Sequence, residues 1–256
     1  MKPQDLKIPF TWKKRKPFLL DGLLYLPKYY DKHHLFKNNP FEKDSKIFLD
    51  KKPFYIEYCS GNGQWITEKA MQNPEINWIA IEMRFDRARK IYAKKVNLNI
   101  SNLFIVLGEG LTFTRYYVPD NMILKAYVNF PDPWPKKRHA KHRLVCDTFV
   151  SEMKRIVQRD GKVTLATDDK ETSYRIISEF NKDKIWHSVF EKPFFINSWP
   201  GYGNSFFENL FIKKGKKIFY MQFENKKIGA EGFEPPTYWS QTSRASQAAL
   251  CPETCL

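Results

Sequence analysis

The chain has 256 residues, of which 42% are hydrophobic and 16% are aromatic, enough for one substantial core. Its 43 Lys and Arg residues exceed its 28 Asp and Glu residues, which gives a formal net charge of +15. So basic a protein attracts polyanions, most often nucleic acid, although a generally basic solvated surface is the alternative. No apolar run could span a membrane, the N-terminus does not resemble a signal peptide, and the four cysteines lack zinc-ligand spacing. We therefore expect a soluble, cytoplasmic protein with no metal site and no membrane partner.

The pattern of residues divides the chain into three parts. Residues 1–50 hold scattered prolines and a basic run, which predicts an irregular extension lying over a core or reaching for a partner. Strand and helix patterns alternate through 51–227, the predicted domain. Residues 228–256 have no periodic pattern and are predicted to be a disordered tail. Residues 232–237 read Gly-Phe-Glu-Pro-Pro-Thr, which the reverse strand of a tRNA TΨC arm could encode, and our hypothesis is that the tail results from a reading frame that continues into a neighbouring tRNA gene.

Within the predicted domain, short apolar runs alternate with amphipathic stretches of ten to fifteen residues. Strands are predicted at 54–58, 78–82, 103–107, 123–130, 162–167, 185–190 and 217–223. Helices are predicted after the first strand up to residue 72 and at 86–95, 143–158 and 169–180. This alternation is typical of an α/β fold with a mostly parallel sheet. Such sheets bind ligands beyond the carboxyl ends of their strands.

A carboxylate lies at or just after the end of each of the first five predicted strands. These residues are Glu57, Glu82, Glu109, Asp132 and Asp168. A single acidic residue at such a place is ordinarily a helix N-cap or a solvated loop charge. Five in succession, all at one edge of the sheet, instead favour a ligand site.

A glycine-rich turn separates the first strand from the first helix. Gly61 and Gly63 let the backbone approach a ligand closely, and Glu82 is well placed to accept hydrogen bonds from ribose hydroxyls. The G-x-G-x-x-G pattern of pyrophosphate binding is not met, because position 66 is Ile. Carboxylates would oppose a polyphosphate but stabilise a sulfonium, so we expect S-adenosylmethionine and not NAD or ATP.

The most distinctive segment is 130–144, where three prolines surround Asp132 and Trp134 at the end of the fourth strand. Proline cannot donate to a strand ladder, so the segment should form a stiff loop that holds Asp132 beside the reacting centre. Basic residues then follow, which suit contacts with RNA phosphates, although a solvated helix start is the alternative. They are Lys136, Lys137, Arg138, Lys141 and Arg143.

This segment reads F-P-D-P-W-P-K-K-R-H-A-K-H-R-L and resembles the signature of bacterial tRNA (guanine-N7-)-methyltransferases, F-P-D-P-W-x-K-x-R-H-x-K-R-R-L. The resemblance extends over about 54–223. It implies a class I, Rossmann-like methyltransferase fold: a seven-stranded sheet with helices on both faces and one antiparallel edge strand. The chain departs from the family pattern at Cys59, which replaces a glycine, and at Glu109, His142 and Ser205, which replace Asp, Arg and Thr.

The resemblance also implies the roles of individual residues. Asp132 would be the catalytic residue, nearest both cofactor and base. The residues that would line the S-adenosylmethionine site are Glu57, Gly61, Gly63, Glu82, Glu109 and Asp132. Those that would meet the substrate are Lys136, Asp168, Ser205, Phe206, Phe207 and Glu208. The implied target is the variable-loop guanine at position forty-six of tRNA.

Two other functions stay open from the sequence. One is methylation of a different RNA or DNA base, although the Asp-Pro-Trp loop matches poorly the Asn/Asp-Pro-Pro-aromatic pattern of enzymes that act on exocyclic amines. The other is a catalytically silent RNA-binding module, which the presence of Glu82 and Asp132 disfavours. Monomer and homodimer are both compatible with the sequence.

Overall fold

A computed structural model describes residues 1–7, 15–28, 30–36, 39–41, 51–203 and 205–227. The predicted tail, 228–256, lies outside these residues. Residues up to Lys226 form one compact unit. In the part of the chain that is described, no helix is both long and apolar enough to cross a membrane.

The regular elements alternate along the chain much as the sequence predicts. The strands are β1 (Phe18–Leu20), β2 (Leu23–Tyr25), β3 (Phe54–Tyr58), β4 (Asn77–Glu82), β5 (Leu103–Leu107), β6 (Ile123–Asn129), β7 (Val157–Thr167), β8 (Trp186–Ser188) and β9 (Phe219–Asn225). The α-helices are α1 (Gln64–Gln72), α2 (Phe85–Asn97), α3 (Gly110–Tyr117), α4 (Asp147–Ile156), α5 (Lys170–Phe180) and α6 (Phe206–Lys213). Short 3-10 helices cover Pro3–Asp5, His33–Leu35 and Lys137–His142.

All these strands join one sheet in the order β1-β2-β5-β4-β3-β6-β7-β9-β8. Pairing is parallel from β2 to β7, whereas β1 pairs antiparallel with β2, and β9 pairs antiparallel with both β7 and β8. The strand order reverses between β3 and β6, so the ligand-binding crevice is expected beyond the carboxyl ends of these two strands. The predicted α/β fold with a mostly parallel sheet is confirmed.

The strand count differs from the seven implied by the family. Nine strands are present among the described residues, because the hairpin of β1 and β2 extends the sheet beyond β5. The sequence predicted an irregular extension here, since strands of three residues are too short to show an alternating pattern. Asp21 and Gly22 close the hairpin with φ of 34° and 76°.

Buried side chains pack on both faces of the sheet. Alternate strand residues enter different clusters; Ile79 belongs to one and Trp78 to the other. Helices α3, α4 and α5 contribute to the first cluster, and α1 and α2 to the second. The central strands are therefore covered on both sides, which explains why they read as continuous apolar runs.

The structure corrects the predicted helix 143–158. Helix α4 spans Asp147–Ile156, and β7 begins at Val157. Asp160, with φ 58°, and Gly161 lie inside β7, where the pairing with β6 shifts register. These residues, which suggested the end of a helix, instead form a strand irregularity.

Candidate active site

The turn after β3 is held by the carboxylate at the end of β4. Cys59, Gly61 and Gly63 all have positive φ, at 61°, 57° and 72°. Glu82 accepts a hydrogen bond from the Gly61 amide at 2.9 Å and another from the Arg84 amide at 2.8 Å. Burial raises the pKa of Glu82. The predicted proximity of the glycine turn and Glu82 is present, and its role towards a cofactor stays a prediction.

Glu57, at the carboxyl end of β3, is 1% exposed and belongs to a buried polar chain. Asn129 donates from Nδ2 to Oε1 of Glu57 at 2.7 Å, and the Tyr202 hydroxyl donates to Oδ1 of Asn129 at 2.5 Å. The other carboxylate oxygen, Oε2, is buried without a hydrogen-bond partner. Burial raises the pKa of Glu57 to about 7.

The sequence analysis did not identify Asn129 and Tyr202 as members of the site, although both belong to the buried polar chain of Glu57. Asn129 could have been found, because it is the last residue of β6 and immediately precedes the proline-rich segment. Tyr202 offers no such signal: it is separated from Asn129 by 73 positions and lies between α5 and α6 outside any regular element.

These features fit a cationic nucleoside cofactor. A buried carboxylate oxygen without a partner is unfavourable, and a positively charged ligand would stabilise it. At Gly63, a Cβ atom would lie 2.7 Å from the side chain of Ile91, so the turn needs glycine there. The residues at the β3 and β4 ends thus combine carboxylate acceptors with a turn that requires glycine, and their contact with S-adenosylmethionine stays a prediction.

Glu109 has a local structural role. Its exposed side chain caps the N-terminus of α3, accepting from the Thr112 amide at 2.7 Å and from the Thr112 hydroxyl. This is the ordinary role of an acid at a strand end. The predicted contact between Glu109 and the cofactor stays a prediction.

The loop that carries Asp132 leaves the sheet at Phe130, whose amide donates to the Ala166 carbonyl at 2.9 Å. Phe130 and Trp134 have positive φ, 51° and 40°, a strained conformation for large aromatic residues. Asp132 lies between them and is exposed. The loop thus presents the predicted catalytic carboxylate at the carboxyl edge of the sheet.

The predicted phosphate contacts follow this loop. Lys136, Arg138 and Lys141 are exposed, and Lys137 begins the 3-10 helix. Arg143 is half-buried instead: its Nε and Nη2 donate to the Trp134 carbonyl at 3.1 and 2.9 Å. Lys136, Arg138 and Lys141 therefore form an exposed, positively charged segment.

The predicted substrate residues at 205–208 form the start of α6. Ser205 caps this helix, and its hydroxyl accepts from the Glu208 amide at 3.0 Å. Glu208 is buried and accepts a hydrogen bond from the Tyr220 hydroxyl. Phe206 is 48% exposed. The carboxylate of Glu208 is thus already engaged within the protein, and its contact with guanine stays a prediction.

Phe207, on α6, lies against the glycine turn after β3. A Cβ atom at Gly61 would lie 3.4 Å from the Phe207 ring, and the Arg87 guanidinium lies 5.6 Å from the ring centroid. The ring of Phe130 is 6.4 Å away. The structure therefore brings Phe207, the glycine turn and the base of the Asp132 loop together.

Asp168, at the end of β7, forms an ion pair with Lys216, whose ammonium also lies 4.7 Å from the Phe211 ring centroid. Phe211 in turn contacts Phe130 at 5.6 Å between ring centroids. Lys216 and Phe211 thus connect Asp168 to Phe130, at the base of the Asp132 loop.

The sheet order and the carboxylates at its carboxyl edge define a class I methyltransferase fold. Residues 51–221 match the family described as putative methyltransferase. A tRNA (guanine-N(7)-)-methyltransferase of Chlamydia pneumoniae is 45% identical over 226 residues, which cover 88% of this chain and 99% of that protein. One of Chlamydia muridarum is 43% identical, covering 90% of this chain and all of that protein. The chain belongs to the tRNA (guanine-N(7)-)-methyltransferase family, as the signature predicted.

The chain is also similar to solved structures at low sequence identity. PH0851 is 14% identical with a TM-score of 0.51, covering 70% of this chain and 44% of that chain. A SAM-dependent methyltransferase from Aquifex aeolicus is 13% identical with a TM-score of 0.47, covering 68% of this chain and 84% of that chain.

Proposed function

We propose that this protein transfers a methyl group from S-adenosylmethionine to N7 of a guanine in tRNA, the variable-loop guanine at position forty-six. The observation that carries the proposal is the Asp132 loop, which leaves the sheet next to Glu57 and the glycine turn. Relatives named for this reaction and a formal charge of +15 support a tRNA substrate. The corresponding cellular compartment is the cytoplasm.

S-adenosylmethionine, when bound, supplies a methyl group on a positively charged sulfur. Glu57 and Glu82, with Gly61 and Gly63, would hold it, and Glu109 and Asp132 would complete the site. The buried environment of Glu57 strengthens the attraction between its carboxylate and a cation. These residues bind and orient, and the chain needs no side chain that accepts a proton from the attacking atom.

N7 of guanine is a neutral lone pair and already nucleophilic. Catalysis therefore requires alignment and stabilisation of the positive charge that develops on the purine. Asp132 is suited to that charge, and Asp168 and Glu208 could accept hydrogen bonds from the N1–H and N2–H₂ edge of guanine. Trp134 or Phe207 offers a ring on which an extracted base could stack.

Lys136 would meet the substrate next to the reacting base, and Ser205, Phe206 and Phe207 would do so from α6. Three basic residues that follow the Asp132 loop would contact RNA phosphates on either side of the reacting base. They are Lys137, Arg138 and Lys141.

Methyl transfer from labelled S-adenosylmethionine to bulk tRNA, followed by nucleoside analysis, tests the proposal. We expect 7-methylguanosine from the wild type, loss of it with Asp132→Ala, and normal product with Glu75→Ala. Glu75 is a matched control, because it is exposed and precedes the amino end of β4, at the opposite edge of the sheet. A different methylated nucleoside would overturn the proposed target, and tRNA binding without transfer would indicate a silent RNA-binding module.

A further inference from the structure

The backbone of the Asp132 loop requires support from outside the loop. Three of its residues are prolines, which have no N–H to donate. The φ of 51° at Phe130 and of 40° at Trp134 place two large aromatic residues in the left-handed region. Such conformations persist when surrounding contacts hold them.

Two arginines supply contacts to three successive carbonyls of this loop. Arg143 donates to Trp134 O through Nε at 3.1 Å and Nη2 at 2.9 Å, and Nη2 also lies 3.4 Å from Pro135 O. Arg175, on α5, donates through Nη2 to Pro133 O at 3.0 Å. The forked contact of Arg143 falls on Trp134, one of the two strained residues.

Both guanidinium groups are half-buried, and each is fixed by more than one acceptor. Arg175 also donates to the Thr172 hydroxyl at 2.8 Å, which anchors it to the first turn of α5. Burial, and then the nearby charge of Arg143, lowers the pKa of Arg175. Two like charges directed at one loop repel each other, and the hydrogen bonds that each guanidinium donates to its own loop carbonyls offset that repulsion.

We propose that Arg143 and Arg175 are positioning residues that hold the Asp132 loop in its reactive conformation, and that Arg143 is not an RNA phosphate ligand. This inference rests on the proposed function, and it replaces the phosphate contact that the sequence predicted for Arg143. A lysine at position 143 would keep the charge but lose the forked pair of donors that a single carbonyl receives here.

The kinetic test compares Arg143→Lys with Lys141→Ala, which removes a charge from the same basic segment. We expect Arg143→Lys to lower kcat roughly 10- to 100-fold at saturating tRNA, because alignment is lost, and to leave the Kd for tRNA within about twofold. We expect Lys141→Ala to weaken tRNA binding and to reduce the salt dependence of that binding by the equivalent of about one phosphate contact, with kcat retained. A kcat for Arg143→Lys close to that of the wild type would overturn the proposal.

A second measurement does not depend on activity. Hydrogen exchange of the Phe130 amide, which donates to the Ala166 carbonyl at 2.9 Å, should be faster in Arg143→Lys and in Arg175→Lys than in the wild type or Lys141→Ala, because the loop that continues from this amide loses its support. Unchanged exchange in both arginine variants would refute the positioning role. If the wild type transferred no methyl group, the proposed function would fail, while this measurement would still decide whether the two arginines hold the loop.

Discussion

The buried carboxyl of Glu57 should make cofactor binding depend on pH. Its pKa is raised to about 7 by burial, so in the free protein it is about half protonated near neutrality. A cationic ligand favours the ionised form, and affinity should therefore increase as the pH rises through the pKa. At about pH 6 roughly one tenth of the carboxyl is ionised, against roughly nine tenths at about pH 8, which predicts a Kd about tenfold weaker at the lower pH.

Isothermal titration calorimetry of S-adenosylmethionine at several pH values measures this change directly. Near pH 7, binding to the wild type should release about half a proton, detected as a dependence of the observed enthalpy on the ionisation enthalpy of the buffer. Glu57→Gln is the matched control, because its side-chain oxygen can still accept from Asn129 and it does not titrate. The pH dependence that remains in Glu57→Gln comes from the ligand's own amine and from Glu82, whose pKa is also raised by burial.

The difference between the two proteins isolates Glu57. A wild-type Kd that changes less than about twofold over this range would refute the reasoning, and so would an equal pH dependence in Glu57→Gln. The pH dependence of folding stability is opposite in sign to the pH dependence of cofactor binding. A raised carboxyl pKa stabilises the free fold most at low pH and loses that contribution as pH rises through about 7.

Three further predictions test contacts that stabilise the fold. Tyr202→Phe removes the hydroxyl that donates to buried Asn129 and should lower the free energy of unfolding, measured by urea denaturation, by about 1–2 kcal/mol. A change under about 0.5 kcal/mol would contradict this. Arg155→Met removes donors to two backbone carbonyls at the end of α3, both at 2.7 Å, and should lower the free energy of unfolding by about 2–3 kcal/mol. Asp120→Ala removes only an exposed partner of Arg155 and should lower it by less than about 1 kcal/mol. Equal losses in the two variants would refute this reasoning. Gly63 has a φ of 72°, and Gly63→Ala would place a Cβ atom 2.7 Å from the side chain of an isoleucine on α2. Thermal unfolding should therefore show a loss of about 1–3 kcal/mol in the free energy of unfolding, and an unchanged midpoint would contradict this.

The sequence predicted the central part of the fold because its strands are buried on both faces. β3, β4 and β5 read as continuous apolar runs, and their observed bounds lie within one residue of the prediction. The hairpin of β1 and β2 escaped prediction because its pairing with β5 depends on tertiary contact. The predicted end of helix α4 was wrong because the pair Asp160-Gly161 is as typical of a helix end as of the strand irregularity that it forms.

The site was predictable where residues act at strand ends, since topology alone gathers them at one edge. Contacts that join distant segments were not predictable. Tyr202 reaches Asn129 across 73 positions, and the sequence does not reveal that pairing. Arg143 belongs to a basic run in which Lys136, Arg138 and Lys141 are exposed, and composition could not indicate that its guanidinium faces the loop carbonyls.

The claim that N7 of guanine is the methyl acceptor is tested most directly by removing that atom. A tRNA transcript made with 7-deazaguanosine triphosphate keeps the base-pairing edge of guanine but has carbon in place of N7. We predict methyl transfer to the unmodified transcript and none to the deaza transcript, with similar binding of both. Equal transfer to the two transcripts would contradict the account, because the methyl group would then reside on another atom.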